Sequence, residues 1–329
     1  MQSFISRALA LALAFVAGAF QPTVVRADAV SEYPSRPVRF IIPFVPGAGT
    51  DLTTRTIAKK LGETHGQQFV PDNRAGAAGA IGADIAAKAT PDGHTLCLIS
   101  SGHTVLAATN NRLPYDLERD LYAVSQVSTL FYVLAVHPSF PAKSVKDLLA
   151  LAKAQPGKIH QGSSGTGALQ HFAGEMMAHQ AGVKFTHVPY KGGAASLAAV
   201  MSGEVEMSFT TLLSARPHMA SNRIRVLGIT AGKRSPAIPE IPTIAEAGVP
   251  GFEANQWYGV VTSAKVPPPI VNKLADMLKA ALQSPDVVAR LSADGSTPLA
   301  TSPAAFKAHI HSEIAKWKKL VKDAGLQMK

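Results

Sequence analysis

Two loops rich in glycine and hydroxyl-bearing residues carry the residue types best suited to binding a small anion. The first, residues 45–51, follows the apolar run 38–44, and the second, residues 162–167, follows residues 157–161. Where a strand leads into a helix through such a loop, several backbone N–H groups lack an intrahelical acceptor, and the helix dipole adds partial positive charge. A carboxylate or a phosphate suits that place.

Either loop alone could be no more than a tight turn. Neither is a nucleotide-binding motif, because no Gly-Lys-Ser/Thr and no G-x-G-x-x-G pattern occurs in them. Open α/β sheets bind ligands at the carboxyl ends of their strands. Two such loops in one chain therefore predict two α/β units that close on one small anion.

The second loop also permits a nucleophilic serine. Ser163 and Ser164 are near His171 and Glu175 in the sequence, so a secreted hydrolase with its nucleophile in residues 162–167 is the alternative function. The loop has threonine at the fifth position, where the G-x-S-x-G nucleophile elbow requires glycine. We therefore favour a binding protein without enzyme activity, and we predict no catalytic residue.

A possible metal-binding pattern occurs in the helix that follows this loop. His171, Glu175 and His179 are spaced i, i+4, i+8, so they share one helical face. Such a face can hold zinc, but it can also be a solvated polar face with an i, i+4 pair. We favour the polar face and predict neither a metal site nor a cofactor.

The elements that would position these loops alternate along the chain. Short β-branched runs such as 95–99, 132–136 and 225–230 are separated by segments with helical periodicity. The clearest amphipathic stripe consists of Leu169, Phe172, Ala173, Met176 and Met177. This alternation predicts an α/β fold with mostly parallel sheets flanked by helices.

The length of 329 residues favours two domains. No low-complexity linker separates them, so we expect the chain to cross between them twice, near residues 131 and 231. The predicted first lobe consists of residues 30–131 and 232–329, and the predicted second lobe of residues 132–231.

The N-terminal residues 1–29 have the pattern of a signal peptide. An arginine precedes an apolar run, and small residues follow at a possible cleavage site, which predicts export. The net charge of +10 is spread along the chain without a basic run interleaved with aromatic residues, so we expect no binding to nucleic acid. Cys97 is the only cysteine and lies in an apolar run, where a core position is expected.

Seven segments, in order along the whole chain after residue 29, resemble the Bug/TctC family, the solute-binding proteins of tripartite tricarboxylate transporters. They include Asn-Arg-Ala-Gly-Ala-Ala-Gly at 73–79 and Pro-Tyr-Lys-Gly at 189–192. The others are residues 33–44, 91–96, 113–116, 162–165 with His171, and 242–248.

The resemblance implies a monomeric periplasmic protein with a two-lobed Venus-flytrap fold, of the type II-like periplasmic-binding-protein class, with two interdomain crossovers. It would hold a small carboxylate (a di- or tricarboxylate, an acidic amino acid or an aromatic carboxylate) in the interdomain cleft. Its partners would be the membrane subunits of the transporter.

Carried onto this chain, the resemblance implies three groups of ligand-binding residues. They are Phe44, Gly47, Ala48, Gly49 and Asp51 in the first loop, Ser163, Ser164, Gly165, Thr166 and Gly167 in the second, and Ser101, His103, Tyr190 and Thr210 at strand ends. Asp51, the only acid in either loop, is predicted to cap its helix. Its charge would disfavour a second carboxylate nearby.

Overall fold

The computed structural model describes residues 30–325 except 48, 111, 191 and 294. The predicted signal peptide, residues 1–29, and the predicted site residue Ala48 therefore lie outside the described residues. Two β-sheets and their flanking helices lie in Pro34–Lys329, a unit distinct from Met1–Tyr33.

The strands and helices alternate along most of the chain. The strands are β1 (Val38–Ile42), β2 (Phe69–Asn73), β3 (Thr95–Ser100), β4 (Leu121–Leu130), β5 (Tyr132–Val136), β6 (His160–Ser163), β7 (Thr186–Pro189), β8 (Met207–Thr211), β9 (Arg225–Ile229), β10 (Gln256–Ser263) and β11 (Thr297–Pro298). The helices are α1 (Gly49–His65), α2 (Ala80–Ala87), α3 (Ser101–Thr109), α4 (Val145–Ala154), α5 (Leu169–Ala181), α6 (Gly193–Ser202), α7 (Leu212–Ala220), α8 (Pro268–Gln283), α9 (Pro285–Ala293) and α10 (Pro303–Asp323).

The strands form two separate sheets, each with helices packed on it. The first lobe contains six strands in the order β11-β4-β10-β3-β1-β2, and the second contains five in the order β7-β6-β8-β5-β9. Helices α1–α3 and α8–α10 belong to the first lobe, and α4–α7 belong to the second. The predicted two-lobed α/β architecture is confirmed.

Both sheets are mixed, which corrects the expectation of mostly parallel strands. Parallel pairs join β1 to β2 and β3, and β6 to β7 and β8. In contrast, β10 is antiparallel to β3 and β4, and β5 is antiparallel to β8 and β9. These two strands are the first that the chain forms after each crossing between the sheets, and each runs against both of its neighbours.

The crossings between the sheets are short at one place and long at the other. One residue separates β4 from β5, whereas residues 230–255 separate β9 from β10. The longer segment stays with the second sheet: Ile244 N–H donates to the carbonyl of Ile229 (2.9 Å), and Ala254 N–H donates to that of Thr230 (3.1 Å).

Helix α10 packs against the apolar cores of both lobes. Its first half places Phe306, Ile310 and Ile314 in the first-lobe core with Trp257. Its second half places Trp317 among second-lobe residues, where its ring meets Phe172 edge-on at a centroid distance of 5.9 Å. The helix therefore links the first sheet to α5, the helix that follows the second glycine-rich loop.

Several elements were not predicted from the sequence. Ser101 and His103 were predicted only as residues at a strand end, but they lie in the first turn of helix α3. Ser100 and His103 form a capping box, and Thr104 Oγ1 donates to the carbonyl of Ser101 (2.6 Å). Their polar side chains serve the helix end, which explains the error. Strand β4 and helix α7 were also missed.

Cys97 lies fully buried in β3, as predicted, and burial raises the pKa of its thiol far above the usual range. Among residues 30–325, apart from the four positions left undescribed, we find no helix with the length and apolar character needed to cross a bilayer.

Candidate functional site

A cavity of about 540 Å³ lies where the two lobes face each other. It is bounded by the loop after β1, the N-terminal ends of α3 and α5, and the first residues of the two strands that follow the crossings. Its lining residues are Phe44, Val45, Gly49, Thr50, Ala78, Ser100, Gly102, Tyr132, Ser164, Gly165, Thr166, Gly167, Ala168, Leu169, Gln170, Gly192, Gly193, Thr210, Thr211, Ser214, Gln256 and Tyr258.

Half of the sequence-predicted site residues line this cavity. From the first loop these are Phe44 and Gly49, and from β8 it is Thr210. From the second loop they are Ser164, Gly165, Thr166 and Gly167. The structure thus brings the two glycine-rich loops to one cavity, and their role in ligand binding remains a prediction.

Gly49 allows the Tyr258 side chain to approach the first loop closely. A Cβ atom at position 49 would lie 2.5 Å from the Tyr258 hydroxyl oxygen. Tyr258 lies in β10, and Tyr132 lies at the start of β5. Both residues line the cavity. Burial, with Tyr258 nearby, raises the pKa of Tyr132, so the Tyr132 hydroxyl stays protonated at neutral pH.

Two stacked histidines contact the second loop through Ser163 and Gly167. The His171 and His187 rings lie 3.8 Å apart, and Ser163 Oγ lies 2.6 Å from His187 Nε2. Gly167 N–H donates to His171 Nδ1 (3.3 Å), while His171 Nε2 lies 3.4 Å from Glu175 Oε1. Burial first, and then the charge of His171, lower the pKa of His187 to about 4, so it is neutral at neutral pH.

This arrangement supports a structural role for Ser163. The residue has no exposed surface and does not line the cavity, although it was predicted as a site residue. Ser164 does line it, but no histidine in the described part of the chain hydrogen-bonds to the Ser164 hydroxyl. His171, expected on a solvated face, is buried against His187.

Asp51 holds the first loop rather than facing the cavity. Its carboxylate accepts hydrogen bonds from Gly47 N–H (2.9 Å), Arg55 Nε (2.9 Å) and Asn73 Nδ2 (3.0 Å). Burial alone would raise the pKa of Asp51, but these donors outweigh it and hold the pKa below its usual value. Because α1 begins at Gly49, Asp51 lies in the first turn and bonds backwards to Gly47, which corrects its expected position as the N-cap.

Ser101 and His103 lie behind the cavity wall. Ser101 Oγ donates to the side-chain oxygen of Gln256, which lines the cavity. His103 is fully buried, accepts a hydrogen bond from Ser100 N–H at Nδ1 (3.1 Å), and packs edge-on against Phe44 at 5.9 Å. Both residues act on cavity residues rather than lining the cavity themselves.

The burial of His103 makes the free energy of unfolding depend on pH. Burial lowers its pKa from 6.5 to about 4, so below pH 6.5 the unfolded chain binds a proton that the folded protein does not. The contribution of His103 to the free energy of unfolding is fully present above pH 6.5. As the pH falls from 6.5 to 4, the free energy of unfolding decreases by up to about 3 kcal/mol. Urea unfolding at pH 7, 5.5 and 4 measures this loss.

His103→Asn retains an acceptor for Ser100 N–H but does not titrate, so we expect a smaller loss of stability in acid. His187, with a pKa lowered to about 4, contributes in the same direction and remains in the variant. His137→Asn, at a half-buried position whose ring contacts Ser139, is the matched control. Equal pH slopes for the wild type and His103→Asn would contradict this account.

Tyr190 and Gly47 do not line the cavity. The Tyr190 hydroxyl donates to Glu204 Oε1 (2.8 Å), and burial followed by Glu204 raises its pKa to about 12. Its backbone N–H donates to the carbonyl of Ser163 (3.0 Å), so Tyr190 supports the second loop through its backbone. Ala48 lies outside the described residues.

Several cavity residues were not predicted from the sequence. Three of them lie at the start of the strands that follow the two crossings: Tyr132 in β5, and Gln256 and Tyr258 in β10. The predicted crossing near residue 131 could have indicated Tyr132. Gln170 and Ser214, on the other hand, lie on helices with nothing in their local pattern to mark them. Among the described residues, no group of three or more His, Cys, Asp or Glu side chains is arranged to hold a metal ion.

Comparison with known proteins relates this chain and its fold to a family of receptors. Residues 53–326 match the family model TctC, described as the tripartite tricarboxylate transporter family receptor. BugT from Bordetella pertussis is 34% identical over 326 residues, covering 98% of this chain and 99% of BugT.

Two solved structures from Rhodopseudomonas palustris resemble the whole fold. Rpa4515 with adipate is 36% identical, with a TM-score of 0.80, covering 90% of this chain and 99% of that one. MatC with bound malate is 28% identical, with a TM-score of 0.78, covering 88% of this chain and all of that one.

Proposed function

Because the chain belongs to the TctC family of tripartite tricarboxylate transporter receptors, we propose that it captures a small carboxylate in the cavity between its lobes. It would work outside the cytoplasm, after removal of residues 1–29, as a monomer. It would deliver its ligand to the membrane subunits of a tripartite tricarboxylate-type transporter. We propose no enzyme activity.

The observation that carries this proposal is the convergence of both glycine-rich loops on one cavity. Ser164, Gly165, Thr166 and Gly167 line it immediately before helix α5, which has 13 residues. The N–H groups of Ser164, Gly165 and Gly167 donate to side chains of the chain itself. The Thr166 N–H, the N–H groups at the start of α5 and the positive end of the helix dipole remain to favour a carboxylate at that point. The ligands named for the two related structures, adipate and malate, are also carboxylates.

The remaining lining residues favour a ligand with both polar and apolar parts. Phe44, Val45 and Leu169 offer apolar surface, while Tyr132, Thr210 and Gln256 offer hydroxyl and amide groups. We propose that the ligand is a di- or tricarboxylate, an acidic amino acid or an aromatic carboxylate, held by neutral donors and bridging waters.

We also propose that the lobes close on the ligand by a hinge at the two crossings. The first boundary lies at residue 131. The hydrogen bonds of residues 244 and 254 with the end of β9 support a second boundary near residue 255, rather than at 231. The proposed first lobe then includes residues 30–131 and the chain after 255.

A carboxylate panel tests the proposed function. Protein purified from the periplasm of an expressing bacterium is heated with adipate, malate, citrate, glutamate or benzoate, and with adipamide as the uncharged control. A ligand that binds only the folded state raises the melting temperature, so we expect at least one acid, but not adipamide, to do so. If no acid shifts the melting temperature while a reporter ester is hydrolysed, the hydrolase alternative replaces this proposal.

A further inference from the structure

Gln170 is a buried glutamine whose amide is oriented by the protein itself. It lies in the first turn of α5, lines the cavity, and has only 4% of its surface exposed. Its Oε1 accepts a hydrogen bond from Ser164 N–H at 2.7 Å. Because a backbone N–H can only donate, this contact identifies the oxygen, and the other end of the amide must be the NH₂ group.

The NH₂ group of Gln170 is directed away from that contact, towards Gly193. A Cβ atom at position 193 would lie 3.2 Å from Nε2, and Gly193 also lines the cavity. Nε2 has no hydrogen-bond partner among the described residues. Nε2 is not one of the buried side-chain atoms without a partner, so this donor is open to the cavity, where an acceptor from outside the chain can reach it.

A second glutamine, Gln161, holds the backbone of Gln170 in place. Gln161 is 1% exposed, and its Nε2 donates to the backbone carbonyl of Gln170 (2.7 Å). The Gln161 amide fills the space that a side chain at position 174 would occupy, and glycine is found there. Gln161 therefore fixes the backbone at the start of α5, and the bond from Ser164 N–H fixes the orientation of the Gln170 amide.

We propose that Gln170 is a specificity-determining residue that donates a hydrogen bond from Nε2 to a carboxylate oxygen of the ligand. This inference rests on the proposed function and adds a side-chain donor to the backbone N–H groups of the second loop. The carboxylate would lie between Gln170 and Gly193, near the N-terminal end of α5. A ligand presenting a donor instead of an acceptor would be rejected there.

Gln170→Glu separates this role from a purely structural one. The new carboxylate still accepts from Ser164 N–H, and its charge is favoured in the first turn of a helix, so we expect the melting temperature to be retained. The donor is replaced by a negative acceptor. We therefore expect every carboxylate that the wild type binds to bind roughly 100-fold more weakly, since a hydrogen bond is lost and a repulsion is gained.

Isothermal titration with adipate, malate, citrate, glutamate and benzoate provides the measurement. Gln180→Glu makes the same change at an exposed position of the same helix and should leave affinities unchanged. Gln170→Met lacks both donor and acceptor and should weaken binding roughly tenfold. It replaces Gln170→Glu in the comparison if that variant does not fold.

The outcomes distinguish this inference from the proposed function. If the wild type binds none of the five acids, both fail. If the wild type binds an acid and Gln170→Glu, or Gln170→Met in its place, binds it equally well, the proposed function stands and the role of Gln170 is refuted. Selective loss of carboxylate binding in the Gln170 variants, with Gln180→Glu unaffected, supports the inference.

Discussion

Replacing Trp317 with alanine should reduce the free energy of unfolding by roughly 3–5 kcal/mol, the range for a large aromatic residue removed from a core. Trp317 is fully buried and packs edge-on against Phe172 at 5.9 Å. Phe172 belongs to α5, whereas Trp317 belongs to a helix that also packs on the first sheet. Urea denaturation measures the stability change.

Phe306→Ala is the matched control for the effect on the lobes. Phe306 is also fully buried in α10, but it lies in the first-lobe core only. Both variants should lose comparable stability, and only Trp317→Ala should increase the radius of gyration in small-angle scattering. Equal radii for the two variants would show that the second half of α10 does not hold the lobes together.

Filling the cavity should have the largest effect on ligand binding. Ser214 lies on α7, lines the cavity and has an exposed side chain, so tryptophan fits there without entering a core. Because the indole occupies space that the ligand needs, we expect Ser214→Trp to weaken carboxylate binding by roughly a hundredfold, about 3 kcal/mol. The melting temperature without ligand should change little.

Ser221→Trp is the matched control, because Ser221 is exposed at the end of the same helix and does not line the cavity. Titration calorimetry with the acids of the panel compares the two variants. If Ser214→Trp binds as tightly as Ser221→Trp, the ligand does not occupy this cavity.

Local patterns in the sequence predicted the parts of the site that depend on local chemistry. Glycine-rich loops between a strand and a helix place backbone N–H groups and a helix N-terminus where an anion can approach, and residues of both loops line the cavity. The apolar stripe of Leu169, Phe172 and Met176 is buried as its helical period predicted. The first crossing between the sheets lies between the end of β4 at Leu130 and the start of β5 at Tyr132.

The missed residues depend on contacts between distant segments. Gln256 and Tyr258 enter the cavity because β10 inserts between β3 and β4, an arrangement that local periodicity does not specify. His187 contacts Ser163 from the neighbouring strand, 24 positions along the chain. Asp51 accepts hydrogen bonds from Arg55 and Asn73, and only the folded chain brings Asn73 to it.

A crystal structure of the mature protein with the tightest-binding acid of the panel tests the central claim most directly. We predict that the carboxylate lies in the cavity between the lobes, within hydrogen-bond distance of the Thr166 N–H or of the N–H groups at the start of α5. Density for the acid at any other place, with this cavity filled only by water, would contradict the account.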